Sequence, residues 1–290
     1  MLSIEAVNVR KVARVVGMTP KGEDLPNPNN TLKRFGMSST DFGNMWDAGD
    51  GTVWAVFGDN FNNRGGDWLS NAVAITRDRN LDDGLYYDSM LWDEGKDKRM
   101  EIITSREKTG QYPDGSFYEI TCIPTGVMSV PEVSSRRQYI NYMSVNNWKP
   151  TGENDYWTCN YSEIVYSDDF GDTWTRSGVK WDGTSNFVQI AYEVHEGTVY
   201  MWGTKSGRHE KVHVAHVAMT KVQEVHVVSV LLRLQNRTTS QRCSNRHTYY
   251  QKRDSHFSWL SFFDIRGRNL QSPDNQELTP HACALWGAGI

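Results

Sequence analysis

At 290 residues with a formal net charge of −4, the chain is long enough to bury a substantial core and lacks the basic field that phosphate recognition needs, which sets nucleic acid aside as a partner. Aromatics at 12%, with 11 Trp and 13 Tyr, and 24 Gly without long helical periodicity favour an all-β chain of short strands joined by turns. No run approaches the ~18 apolar residues that cross a bilayer, and Cys122, Cys159, Cys243 and Cys283 lie too far apart for a C-x-x-C, so neither a membrane span, a metal, a cofactor nor a disulfide framework is expected.

Residues 1–33 mix charges into their apolar positions and turn Pro/Asn-rich at Asp24–Asn30, which reads as a short strand and a loop without an export signal. From residue 34 to 224 strand-like runs recur: Thr52–Phe57, Asn71–Thr76, Tyr118–Ile123, Arg137–Val145, Ser162–Ser167, Phe187–Val194, Thr198–Gly203 and Val212–Val217. Gly49-Asp50-Gly51 and Glu196-Gly197 are hairpin signals between them, so the runs form a meander of antiparallel strands. Ser167-Asp168-Asp169-Phe170-Gly171-Asp172-Thr173-Trp174 matches the S-x-D-x-G-x-T-W pattern of an Asp box, in which Ser and Asp bond turn amides and Trp packs beneath the hairpin. It is evidence of fold and not of catalysis. After residue 224 the chain grows rich in Arg, Ser, Gln and His and loses the Gly-punctuated rhythm. Residues 225–290 read as an atypical tail, frame-shifted, disordered or an irregular extension.

The stretch from Ser38 to Asn60 carries the chemistry. If Gly49-Asp50-Gly51 is a three-residue loop closed by Ala48 and Thr52, paired residues have numbers that sum to 100, and Asp41 faces Asp59. Opposed residues have Cβ atoms ~4.5–5.5 Å apart, close enough for one carboxylate to raise the pKa of the other. A protonated acid beside an ionised carboxylate is what glycosidic cleavage requires, with retention favoured at ~5 Å and inversion at ~6.5–9.5 Å. Acids beside Gly at strand ends also serve as solvated turn residues. Trp68, Trp148, Tyr156, Trp157 and Tyr161 lie in loop-like contexts where they either stack on sugar rings or fill the core. His213 and His216, three apart on a strand, face opposite sides and make poor co-ligands.

Taken in order, Ser39-Thr40-Asp41-Phe42-Gly43, Met45-Trp46-Asp47, Phe57-Gly58-Asp59, Ser70-Asn71, Ile123-Pro124-Thr125-Gly126, Tyr142-Met143-Ser144-Val145, Asn160-Tyr161-Ser162, Tyr166-Ser167-Asp168-Asp169, Asn186-Phe187 and Gly203-Thr204 resemble the endo-D-arabinofuranases of glycoside hydrolase family 183. The resemblance runs from about residue 34 to 217. It implies a five-bladed β-propeller that cuts internal linkages of D-arabinan in arabinogalactan and lipoarabinomannan, with Asp41 and Asp59 as the catalytic pair. It also implies substrate-binding roles for Thr125, Asn160 and Gln189 by motif, to which Trp148 and Tyr161 are added as aromatic contacts. A polysaccharide is then the partner, and such a substrate implies a secreted or cell-surface protein. A non-catalytic glycan-binding propeller is the alternative.

Overall fold

The structure is a computed structural model that describes residue 7 and residues 9–41, 43–62, 66–105, 118–131, 136–148, 156–208 and 210–224. From Val7 to Asn30 the described residues hold turns and irregular chain, and the short helix α1 (Thr31–Phe35) ends on Gly36 in the left-handed conformation.

Strands follow in chain order: β1 (Ser39–Thr40), β2 (Asn44–Asp47), β3 (Val53–Phe57), β4 (Asn60–Asn62), β5 (Gly66–Leu69), β6 (Ala72–Thr76), β7 (Ser89–Met90), β8 (Trp92–Asp93) and β9 (Lys98–Arg99). Sheet I is the antiparallel series β2-β3-β6-β7, and β1-β4-β5 and β8-β9 form two small satellites. In β3 every residue but Val53 is buried, because the strand is central and covered on both faces. Trp54 and Val56 point to one core, Ala55 and Phe57 to another. Trp46 meets Trp54 directly across the pair, edge to face at 5.5 Å.

Sheet II is built from β10 (Thr121–Pro131), β11 (Arg136–Trp148), β12 (Trp157–Ser167) and β13 (Thr175–Asp182), in that order. It is buried on both faces: Ile140, Tyr142 and Val165 pack toward sheet I, Tyr139 and Ile164 toward the next sheet. The Asp box joins β12 to β13. Ser167 Oγ accepts from Gly171 N–H at 2.8 Å, Asp169 Oδ1 accepts from Thr173 N–H at 2.9 Å, and the Trp174 indole donates to Gly171 O at 3.1 Å. These are the turn contacts expected of the motif.

Sheet III is β14 (Gln189–His195), β15 (Thr198–Thr204) and β16 (His213–Ala218), followed by a 3-10 turn at Met219–Glu224. Glu196 and Gly197 both have positive φ, 46° and 74°, so the β14–β15 hairpin is the two-residue turn its sequence calls for. The chain is therefore all-β, with several antiparallel sheets. The described residues hold three larger sheets, I to III, beside the two satellites. Residues 225–290 lie outside them, as does Phe42.

The first strands of the three sheets lie side by side, β10 between β2 and β14. Thr125 ties them: its carbonyl accepts from Asn44 Nδ2 at 3.2 Å, and its hydroxyl accepts from Asn141 Nδ2 at 2.7 Å and from Ile190 N–H at 3.4 Å. The next residue, Gly126, allows this approach, since a Cβ there would sit 2.1 Å from Ile190 O. Gly126→Ala is expected to cost ~1–3 kcal/mol in urea unfolding, because backbone stands on both sides of the clash and neither strand can yield alone.

Candidate active site

The hairpin of β2 and β3 closes as its loop predicts: Ala48 N–H donates to Thr52 O at 3.1 Å, with Gly49 and Gly51 at φ 87° and 86°. Register sums to 100 from Asp47↔Val53 to Asn44↔Val56, and again at Thr40↔Asn60 and Ser39↔Phe61. Between these two stretches the hairpin leaves sheet I and enters the β1-β4-β5 sheet. Asp41 and Asp59 sit at that passage. Asp41 N–H donates to Asp59 O and Gly58 N–H donates to Asp41 O, both at 3.1 Å, so two successive residues of one arm address one residue of the other, as in a bulge. Such irregularities re-aim side chains.

Asp59 is partly buried, and its Oδ1 accepts from the Trp68 indole at 2.9 Å and from the Thr121 hydroxyl. Trp68 belongs to β5 and stacks on Phe61 at 6.1 Å; Thr121 is the first residue of β10. Two donors on one oxygen suit an ionised carboxylate. Asp41 is exposed to solvent, with protein atoms crowding the rest of its surroundings. That desolvation lifts its carboxyl above the ordinary carboxylate value, and the Arg208 charge and hydrogen bonds from the backbone of Asp41 and Asp59 oppose the rise without cancelling it.

Arg208 reaches this end of the molecule through Gln189. Gln189 Nε2 donates to Lys205 O at 2.7 Å and Gly207 O at 2.8 Å, which fixes the segment ahead of Arg208. The guanidinium lies 5.7 Å from the Trp157 ring, and Trp157 packs on Trp148 at 6.0 Å. Trp148, 41% exposed, ends β11 on the side where β10 begins, so it stands at the same end of sheet II as Thr121.

The expected site residues thus divide. The backbones of Asp41 and Asp59 meet, and Trp148 presents an exposed ring at the same end. Thr125 and Gln189 are buried, with hydrogen bonds spent on neighbouring strands and loops. Asn160 donates to Tyr118 O at 2.5 Å and Ser144 Oγ at 3.0 Å, and Tyr161 donates to Glu119 at 3.3 Å while its ring meets Tyr142 edge to face. Polar side chains in these motifs serve the frame beneath the site. Nothing in the sequence pattern points to Thr121 or Arg208: Thr121 falls inside the run Tyr118–Ile123, and Arg208 follows a Ser-Gly loop with no periodicity.

Among the described residues no three His, Cys, Asp or Glu side chains gather as a metal site. His213 and His216 lie three apart on β16, opposite Gly203 and Tyr200 respectively. Cys122 and Cys159 are free and buried, and burial pushes both thiols up, away from reactivity.

Comparison with known proteins bears on the family. The chain is 26% identical over 193 residues to notoamide biosynthesis cluster protein J of Aspergillus sp. (strain MF297-2), covering 64% of this chain and 47% of that protein. It is 25% identical over 175 residues to notoamide biosynthesis cluster protein J' of Aspergillus versicolor, covering 58% and 45%. The chain spans just under half the length of these curated relatives. A family 117 glycoside hydrolase of Zobellia galactanivorans is similar in structure with a TM-score of 0.37 and 13% identity, covering 71% of this chain and 57% of that one, too slight a likeness to bear on chemistry. Over residues 26–236 the chain matches the domain of unknown function DUF4185, and it belongs to that family.

Proposed function

We propose that the chain is a glycoside hydrolase that cuts internal linkages of D-arabinan, with Asp41 as the proton donor and Asp59 as the partner carboxylate. One observation carries the reading: two aspartates bonded through their backbones at a sheet-to-sheet passage have unlike surroundings, Asp41 lifted by desolvation and Asp59 held by two donors. Paired carboxyl groups whose environments differ in this way divide acid and base roles. Asp41 would give its proton to the leaving glycosidic oxygen as the bond to the anomeric carbon breaks, while Asp59 attacks that carbon or takes a proton from the attacking water. Trp148 offers a ring on which a sugar can stack.

The motif resemblance between residues 34 and 217 supports D-arabinan as the polymer. A propeller is supported by the stacking of sheets I to III with β2, β10 and β14 side by side, which is how neighbouring blades meet. A cell-wall polymer as substrate would place the protein outside the cytoplasm. Incubation of the full chain with D-arabinan, followed by measurement of new reducing ends and oligomer length, tests the reading. Oligomers point to internal cleavage; an unchanged polymer that retards the protein in an affinity gel would make the chain a binder and end the enzymatic reading.

The Asp41 role has its own pH signature. A positive charge favours the ionised carboxylate, so Arg208→Gln should let the Asp41 pKa rise further. Because the acid must be protonated to act, the alkaline limb of kcat/KM should move to higher pH in this variant. A limb that stays in place or moves down removes Asp41 from the acid role.

A further inference from the structure

One buried guanidinium bonds to β4 at Asn60, next to Asp59, and to β5 at Asp67, next to Trp68. Arg99, on β9, is 1% exposed, and its Nε donates to Asn60 Oδ1 at 2.5 Å. Asn60, fully buried, donates in turn to Gly58 O at 3.0 Å and Leu69 O at 3.2 Å. The backbone on either side of Asp59 is held in this way. On its other edge Arg99 donates through Nη2 to Asp67 O at 2.9 Å and through Nη1 to Asp67 Oδ2 at 3.3 Å and Gly36 O at 2.9 Å. Asp67 has φ 44°, a left-handed conformation that a non-glycine residue keeps only when its surroundings hold it, and it immediately precedes Trp68. Lys98 adds a 2.7 Å ion pair to the same carboxylate.

We infer that Arg99 is the positioning residue of this site, setting the Asp59 backbone through Asn60 and aiming the Trp68 indole at Asp59 through Asp67. Only arginine can make this set of contacts. Its planar fork with five donors reaches an amide oxygen, a carboxylate and two carbonyls at once, whereas lysine is a point charge with one nitrogen. The inference extends the glycosidase reading, but its primary readout does not depend on that reading.

The readout is the nuclear magnetic resonance signal of the Trp68 indole N–H in the full chain, assigned by its disappearance in Trp68→Phe. Arg99→Lys and Arg99→Gln should each move that signal upfield, as the bond to Asp59 weakens, and should lower kcat on D-arabinan about tenfold to a hundredfold with KM little changed, as expected for a misplacement near 1 Å. Should these variants fold poorly, Asp67→Gly keeps the left-handed backbone and opens one side of the clamp, and should move the signal the same way by less. Val199→Ala, in the core of sheet III, supplies a variant that melts early for unrelated reasons and should leave the Trp68 signal in place. A Trp68 signal unmoved in the Arg99 and Asp67 variants, or moved as far in Val199→Ala, overturns the inference. A signal that moves as expected in a protein that never cleaves D-arabinan upholds the clamp and sinks the glycosidase reading instead.

Discussion

Asp41→Asn is expected to slow the release of reducing ends from D-arabinan ~10²–10⁴-fold, the range for loss of a positioned general acid, equivalent to about 3–5 kcal/mol in the barrier. Asparagine keeps the size and the backbone bonds to Asp59 and Gly58, so the fold has little reason to change. Asp59→Asn should lose at least as much. The two variants part company on an oligo-arabinoside that carries a nitrophenolate leaving group. Such a group departs without protonation, so Asp41→Asn should approach the parent rate of bond cleavage while Asp59→Asn stays slow. If both variants fall equally on both substrates, the acid and its partner have been misassigned, and if both keep full activity on the polymer the site lies elsewhere.

That the pair was legible at all comes from a local constraint. Gly49-Asp50-Gly51 fixes a loop length, loop length fixes register, and register carries from Asp47↔Val53 out to Ser39↔Phe61. What the loop does not encode is that the hairpin changes sheet on the way, because β6 and β5, which pair with β3 and β4 and place the two halves of that arm in different sheets, come later in the chain. The donors to Asp59 are of the same kind. Thr121 is 62 residues distant in sequence, and no periodicity connects it to the hairpin.

Strand limits are hidden in the sequence where polar and turn-forming residues run inside the sheets. Pro124-Thr125-Gly126 looks like a break, yet β10 continues through it to Pro131, because the register shifts between Pro124 and Gly126. Strand β13 buries only Val179 and Trp181, between exposed Gly178, Lys180 and Asp182, and has no long apolar run to announce it. The same logic explains Thr125, Asn160 and Gln189. A motif that keeps a polar residue in place does so equally well for a ligand or for a buried carbonyl, and here backbone and side-chain partners of the frame occupy them.

The frame beneath the site includes a buried charge whose removal should be the most damaging single change to stability. Glu163, on β12, is 1% exposed; it accepts from the Tyr142 hydroxyl at 2.5 Å and lies 3.2 Å from Arg176 Nη1 and 3.7 Å from Lys180 Nζ. Arg176 also donates to the Tyr142 hydroxyl and to Thr104 O, and burial together with the hydrogen bond to Glu163 pushes the Tyr142 phenol well up. Tyr142, Glu163 and Arg176 stand on the face of sheet II that meets sheet I. Glu163→Ala leaves a half-buried guanidinium and a phenol without their shared acceptor, and should cost ~3–5 kcal/mol in urea unfolding. The loss belongs to the stranded charge more than to the broken bond, so Glu163→Ala with Arg176→Met should recover part of it, the apolar pair filling the space that the ion pair filled. A double variant no more stable than Glu163→Ala alone would mean that Arg176 turns out to solvent when its partner goes, and that the cost lies in the cavity left between the sheets.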